Sequence, residues 1–166
     1  MSLRRAIVVG GNGALGRAVG SRFAGSGWDT VSIDFQNNDE ASSSIQLCDK
    51  TSWTKQATKL SDQLKGTPVA CIFCAAGGWA GGTVASSDGL EGVENMYQMC
   101  VQSAATTAHI GAQLLSSNGL LVFTGATAAL TPNCTTGMIG YGMAKAATHH
   151  LVESLGKGDD TGLPSD

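Results

Sequence analysis

Tyr141 and Lys145 stand four residues apart in Tyr141-Gly142-Met143-Ala144-Lys145. One helical turn puts both side chains on the same face. An ammonium near a phenol stabilises the phenolate and lowers the tyrosine pKa, so Tyr141 becomes a proton donor usable near neutrality. A surface helix pair is the bland alternative, and the spacing alone does not remove it. A second group, Gly11-Asn12-Gly13-Ala14-Leu15-Gly16, fits G-x-G-x-x-G. It follows an apolar run and opens an amphipathic one, the strand–turn–helix setting in which that pattern binds a dinucleotide. Gly10 and Gly11 permit a sharp turn, Gly13 leaves room for a pyrophosphate, and Gly16 lets helix and strand approach. The N–H groups and positive dipole end of the helix starting at Ala14 favour the phosphates. Asp34 lies eighteen residues beyond Gly16. There a carboxylate can accept hydrogen bonds from the adenine-ribose hydroxyls. Phe35 and Gln36 follow, with no arginine to hold a 2′-phosphate, so NADH is expected to be preferred over NADPH.

These groups need elements to hold them. Arg4 to Val9 reads as a first strand, and Ala14 to Gly27 as a helix with Leu15, Val19 and Phe23 on one face. Thr30 to Asp34 is a second strand, and Ile45 to Cys48 a short third. Thr51 to Leu64 has helical spacing at Trp53, Ala57, Leu60 and Leu64, with Asp49 or Thr51 as N-cap. Val69 to Ala76 is apolar throughout, as a central parallel strand covered on both faces must be. A helix from about Leu90 to Ser116, a buried strand Leu120 to Thr124 and a helix Gly140 to Leu155 complete the order. That alternation predicts an α/β fold, a doubly wound parallel sheet of Rossmann type in three αβα layers, with residues 1–166 forming one NAD(P)-binding domain.

Charged residues are only 14% of the chain and the net charge is −3, which gives no electrostatic reason to expect nucleic acid or an anionic membrane as partner. No apolar run approaches the length of a membrane span, and the N-terminus lacks a secretory h-region, so a cytoplasmic location is expected. The five cysteines are irregularly spaced and fit reduced thiols. Cys71 and Cys74 form a C-x-x-C within the apolar run, but residues three apart on a strand point to opposite faces, so they read as buried hydrophobes. His149 and His150 have no third ligand at metal spacing and read as surface or interface residues, with no metal expected.

Together these motifs resemble the short-chain dehydrogenase/reductase family. Gly10, Ala14 and Gly16 match its T-G-x-x-x-[AG]-x-G, with Val9 in the threonine place. Its N-N-A-G becomes Cys74-Ala75-Ala76-Gly77. The family serine thirteen residues before the tyrosine is Ala128, and the helix asparagine is missing from Gln98 to Ser103. The segments Gly11 to Gly16, Ala75 to Gly82 and Gly137 to Lys145, supported by Glu40-Ala41-Ser42 and Gly125 to Leu130, resemble one branch of that family. That branch reduces quinonoid dihydrobiopterin to tetrahydrobiopterin with NADH.

The resemblance, which runs from about residue 4 to 164, implies roles for particular residues. Tyr141 and Lys145 would be catalytic, and both would also contact the cofactor. Gly10, Gly11, Asn12, Gly13, Ala14, Leu15, Gly16, Asp34, Ala76, Gly77 and Gly78 would hold the dinucleotide. Trp79, Ala128 and Tyr141 would meet the substrate. Trp79 follows the central strand in a glycine-lined loop, where an aromatic face can cover a flat pterin, with a core tryptophan as the alternative. Since a quinonoid pterin is already electron-poor, Ala128 in the serine place is intelligible. The two late helices carry small residues (Ala104, Ala105, Ala108, Ala112; Ala144, Ala147, Thr148), and in the family they pair two subunits, so a homodimer is expected, although they could equally pack on the sheet. The family's usual C-terminal part is not represented. This leaves two other expectations open: a non-catalytic truncated dinucleotide-binding module, and a reductase of another small carbonyl or quinone.

Overall fold

A computed structural model describes residues 4–48, 52–66, 68–131, 133–156 and 161–164. Five parallel strands form one sheet: β1 (Arg5–Val9), β2 (Asp29–Asp34), β3 (Ser43–Gln46), β4 (Val69–Cys74) and β5 (Leu115–Phe123). Their order is β3-β2-β1-β4-β5. Ile7 is the hub of the register, beside Val31 on one side and Ile72 on the other. The chain winds outward from β1 to β3 and then crosses back to β4. A crevice therefore opens at the carboxyl ends of β1 and β4, where this topology places ligands.

The helices α1 (Ala14–Ala24), α2 (Trp53–Leu64), α3 (Ser87–Met96), α4 (Ser103–Leu114) and α5 (Ile139–Gly156) flank the sheet. The main core lies on the α2 and α4 face. There Leu60, Leu64, Ile110 and Leu114 pack on Ile7, Val9, Val31, Ile33, Val69 and Ile72. A smaller cluster of Met96, Cys100 and Ala144, with Tyr141 and Ala80 against it, joins α5 to the helices preceding β5. The doubly wound parallel sheet expected from the sequence is thus observed.

Several boundaries differ for identifiable reasons. The N-cap of α2 is Ser52, whose hydroxyl accepts from the Lys55 N–H, while Asp49 and Thr51 lie outside the described residues. As the first residue of α2, Trp53 is exposed, whereas Ala57, Leu60 and Leu64 of the expected face are buried. Leu15 is also exposed, because α1 meets the sheet through Gly16, which brings the backbones together. The expected helix from Leu90 to Ser116 is α3 and α4 joined by a π-helical turn, Tyr97–Gln102. β5 starts earlier than expected and is not a buried strand. It is a sheet edge, and Leu120 is 60% exposed beside an apolar groove lined by Val19, Phe23, Phe73 and Val122. Cys71 borders this groove, while Cys74 on the opposite face meets Thr107 of α4. The two thiols diverge as expected. Burial pushes both upward in pKa; for Cys74 the Thr107 hydrogen bond, the Ala76 backbone and the Lys145 charge pull the other way. Among the described residues no group of three or more His, Cys, Asp or Glu could hold a metal ion.

Candidate active site

The glycine loop caps β1 and is fixed by backbone contacts. Gly10 turns at φ +79°, and its N–H donates to the Ile33 carbonyl at 2.8 Å. A Cβ there would lie 2.5 Å from the Ala76 nitrogen, so glycine lets the loop close against the end of β4. At Gly16 a Cβ would collide with the Gly10 carbonyl oxygen, the close approach inferred from the motif. The N-cap of α1, Gly13, offers no side chain to the first N–H groups of the helix and is itself exposed. That arrangement leaves backbone donors facing open space, as a bound pyrophosphate requires.

Asp34 ends β2 beside this loop. One carboxylate oxygen accepts from the Asn12 N–H at 2.9 Å, the other from the Phe35 N–H at 2.7 Å. These contacts aim the carboxylate without exhausting it, since an ionised carboxyl offers about four acceptor positions. With the Gln36 N–H also donating at 3.4 Å, about one position remains for a ribose hydroxyl. The residues present therefore fit a dinucleotide.

Sequence order also hid a cation. No arginine follows Asp34, yet Arg17 reaches the same end from α1. Its guanidinium donates to the Asn12 carbonyl and side chain, to Asn38 Oδ1 at 3.3 Å, and pairs with Glu40 at 3.3 Å. Asn38 is buried, and its amide donates to the Gly11 carbonyl at 2.8 Å while its oxygen accepts from the Glu40 N–H. It staples the glycine loop to the loop after β2. Nothing in a polar stretch rich in Asn, Asp and Ser marked Asn38 as buried.

Tyr141 and Lys145 occupy successive turns of α5. Lys145 is only 5% exposed. Its ammonium donates to the Thr124 carbonyl at 2.8 Å, and a Cβ on Gly77 would lie 3.3 Å from Nζ. The lysine is thus held between the ends of β4 and β5, with two of its three donors free of that bond. Tyr141 is half-buried one turn earlier, against the Met96 and Cys100 cluster. Where the family asparagine is missing, the π-helical turn carries Cys100 close to Gly77 and Met99 against Gly78. Such turns recur at functional sites.

Trp79 is 68% exposed, so it is no core residue. Its indole N–H points at the Met138 sulfur at 3.4 Å. Three residues on, the Gly82 N–H donates to the Gly137 carbonyl at 2.7 Å, and the Ile139 N–H donates back to the Gly82 carbonyl. This ladder ties the Trp79 loop to the entry of α5, two residues before Tyr141. Ala128 lies half-buried in a 3-10 turn, Thr127–Leu130. His149 was expected at the surface or an interface. It is half-buried and bonded to Ala126, whereas His150 is exposed. Of the small-residue faces, Ala104, Ala144 and Thr148 are buried within the chain, and Ala147 is exposed.

A parallel sheet with a glycine-loop cradle and a Tyr–Lys pair across its switch point defines a nucleotide-dependent oxidoreductase fold. The sequence model described as short chain dehydrogenase matches residues 4–158, and the chain belongs to that family of NAD(P)-binding oxidoreductases. Over 161 residues it is 44% identical to a curated protein from Dictyostelium discoideum named dihydropteridine reductase. The alignment covers 96% of this chain and 68% of the relative. Among solved structures, a short chain dehydrogenase family protein from Francisella tularensis superposes with a TM-score of 0.77 at 21% identity. Thermoplasma acidophilum aldohexose dehydrogenase in ligand-free form gives 0.80 at 17%. These two cover 93% and 96% of this chain, which spans 63% of the length of each. At such identities they show the fold alone.

Proposed function

We propose that this chain reduces a quinonoid dihydropterin, such as quinonoid dihydrobiopterin, to its tetrahydro form with NADH. The observation that carries the reading is the exposed Trp79 indole on a loop laddered to the entry of α5, beside Tyr141. The likeness to the amoebal relative, named for that activity, supports it. NADH when bound supplies the hydride. Tyr141 holds at its Oη the proton that completes the reduction. Lys145, fixed by the Thr124 carbonyl, turns its remaining donors to the nicotinamide ribose. Trp79 covers the flat ring, and Ala128 leaves a wall without a hydroxyl, which an electron-poor acceptor does not need. Gly10 to Gly16 cradle the pyrophosphate, Asp34 holds the adenine ribose, and Ala76 to Gly78 border the nicotinamide half. NADH is preferred over NADPH because Asp34 repels a 2′-phosphate and the Arg17 guanidinium is already engaged by Asn12, Asn38 and Glu40.

The reading extends to a cytoplasmic homodimer paired through the outer faces of α4 and α5. Among the described residues no helix is long and apolar enough to cross a membrane. A second reading is a dinucleotide-binding module without turnover, resting on the glycine-loop cradle alone. One assay separates them. The purified chain should consume NADH only when quinonoid pterin is supplied, forming tetrahydropterin one for one, with NADPH slower. Tight NADH binding without pterin-dependent oxidation supports the second reading. Faster turnover of a simple carbonyl or quinone than of the pterin overturns both.

A further inference from the structure

Tyr141, Lys145 and His149 succeed one another at four-residue intervals on α5 and therefore share a face. The mechanism above uses the first two. The imidazole Nε2 of His149 lies 3.2 Å from the Ala126 nitrogen and 3.0 Å from the Ala126 oxygen. With Nδ1 protonated, Nε2 accepts the Ala126 N–H; with Nε2 protonated, it donates to the carbonyl instead. Either way the ring is fastened to the backbone of one residue. Gly125 makes room for it, since a Cβ there would lie 2.5 Å from His149 Cε1. One turn earlier Lys145 is bonded to the Thr124 carbonyl. Two successive turns of α5 thus grip alternate residues of the segment that leaves β5 and runs directly into the 3-10 turn bearing Ala128.

We propose that His149 is a positioning residue, its Nε2 accepting the Ala126 N–H. It pins Ala126 so that the segment from Gly125 to Ala128 keeps its place against the Tyr141–Lys145 face and presents the substrate-side wall, while Thr124 is held separately by the Cys74 carbonyl. The kinetic consequence rests on the reductase reading, whereas the structural one does not. His149→Ala removes the clamp. His149→Gln restores it, because a carboxamide at similar reach can both accept an N–H and donate to a carbonyl.

The test compares wild type, H149A and H149Q in two measurements. In amide hydrogen exchange read by NMR, the Ala126 N–H should exchange at least about tenfold faster in H149A, the scale of one lost hydrogen bond, and return towards wild type in H149Q. In steady-state kinetics with NADH, H149A should raise KM for the pterin about tenfold with little change in kcat, leaving the NADH Kd within about twofold; H149Q should recover most of that loss. Unchanged Ala126 exchange in H149A overturns the proposal. So does a lowered Tm in both variants with wild-type KM, the mark of a merely structural histidine. If H149A does not fold, H149Q decides, and KM or Ala126 exchange as disturbed as in a misplaced segment refutes the clamp. If the wild-type chain does not turn over pterin, the reductase reading has failed, and Ala126 exchange alone decides the role of His149.

Discussion

The two ends of the crevice are built differently. At the glycine-loop end, the Gly10 N–H is bonded to the Ile33 carbonyl and the Asn12 N–H to Asp34, and buried Asn38 ties the loop after β2 to the Gly11 carbonyl. At the other end, Trp79 stands 68% exposed, held by one sulfur contact and a two-bond ladder. The first end joins backbone groups, in conformations that glycine permits, to the side chains of Asp34 and Asn38. The second presents side chains on loops whose anchoring is sparse. A preorganised cradle can serve any dinucleotide enzyme of this shape, while exposed loop side chains are where substrate choice can change without disturbing the core.

Substitutions at each end should therefore fail differently. The largest effect is expected where the ends meet. Tyr141→Phe removes the proton source and should lower kcat by about a hundredfold or more, the usual scale of a general acid. NADH affinity, measured by fluorescence titration, should stay near wild type. Equal losses in both would dissolve the distinction between the two ends. Next in size, Asp34→Ala should weaken NADH binding about tenfold or more, since hydrogen bonds to a charged group are worth about 1.5–3 kcal/mol. It should also narrow the gap between NADH and NADPH, and lower Tm, because the Asn12 N–H loses its acceptor. A normal Tm with wild-type cofactor preference would count against Asp34 as the ribose ligand. The smallest overall disturbance is expected from Trp79→Ala: KM for the pterin rises several-fold, with Tm and NADH Kd unchanged, because an exposed ring contributes little to the fold. A large drop in Tm would mean that Trp79 serves structure.

The cradle was legible because its determinants are contiguous. Val9, the glycines to Gly16, and Asp34 at the end of the next strand can be read from order and spacing. Asn38 and Arg17 were not, since their importance comes from meeting across the loop after β2. No arginine follows Asp34 in the sequence to hold a 2′-phosphate, and α1 brought one from the other side. His149 is a similar case. As a residue beyond Lys145 it looked peripheral, but the segment after β5 comes to it through Gly125. The strand Leu120 to Thr124 looked buried because it is largely apolar. Its exposure follows from its place at the sheet edge, beyond the reach of α1.

The sequence by itself determined the alternation of strands and helices along the chain, the glycine turn and the four-residue pairing of Tyr141 with Lys145, all consequences of local periodicity and backbone sterics. Only the tertiary structure decided what stands around them. It held Lys145 between Gly77 and Thr124, exposed Trp79, buried Asn38 and fastened His149 to Ala126. Those outcomes depend on the packing of elements far apart in the chain, and a residue's type does not reveal which distant backbone group will come within hydrogen-bond reach.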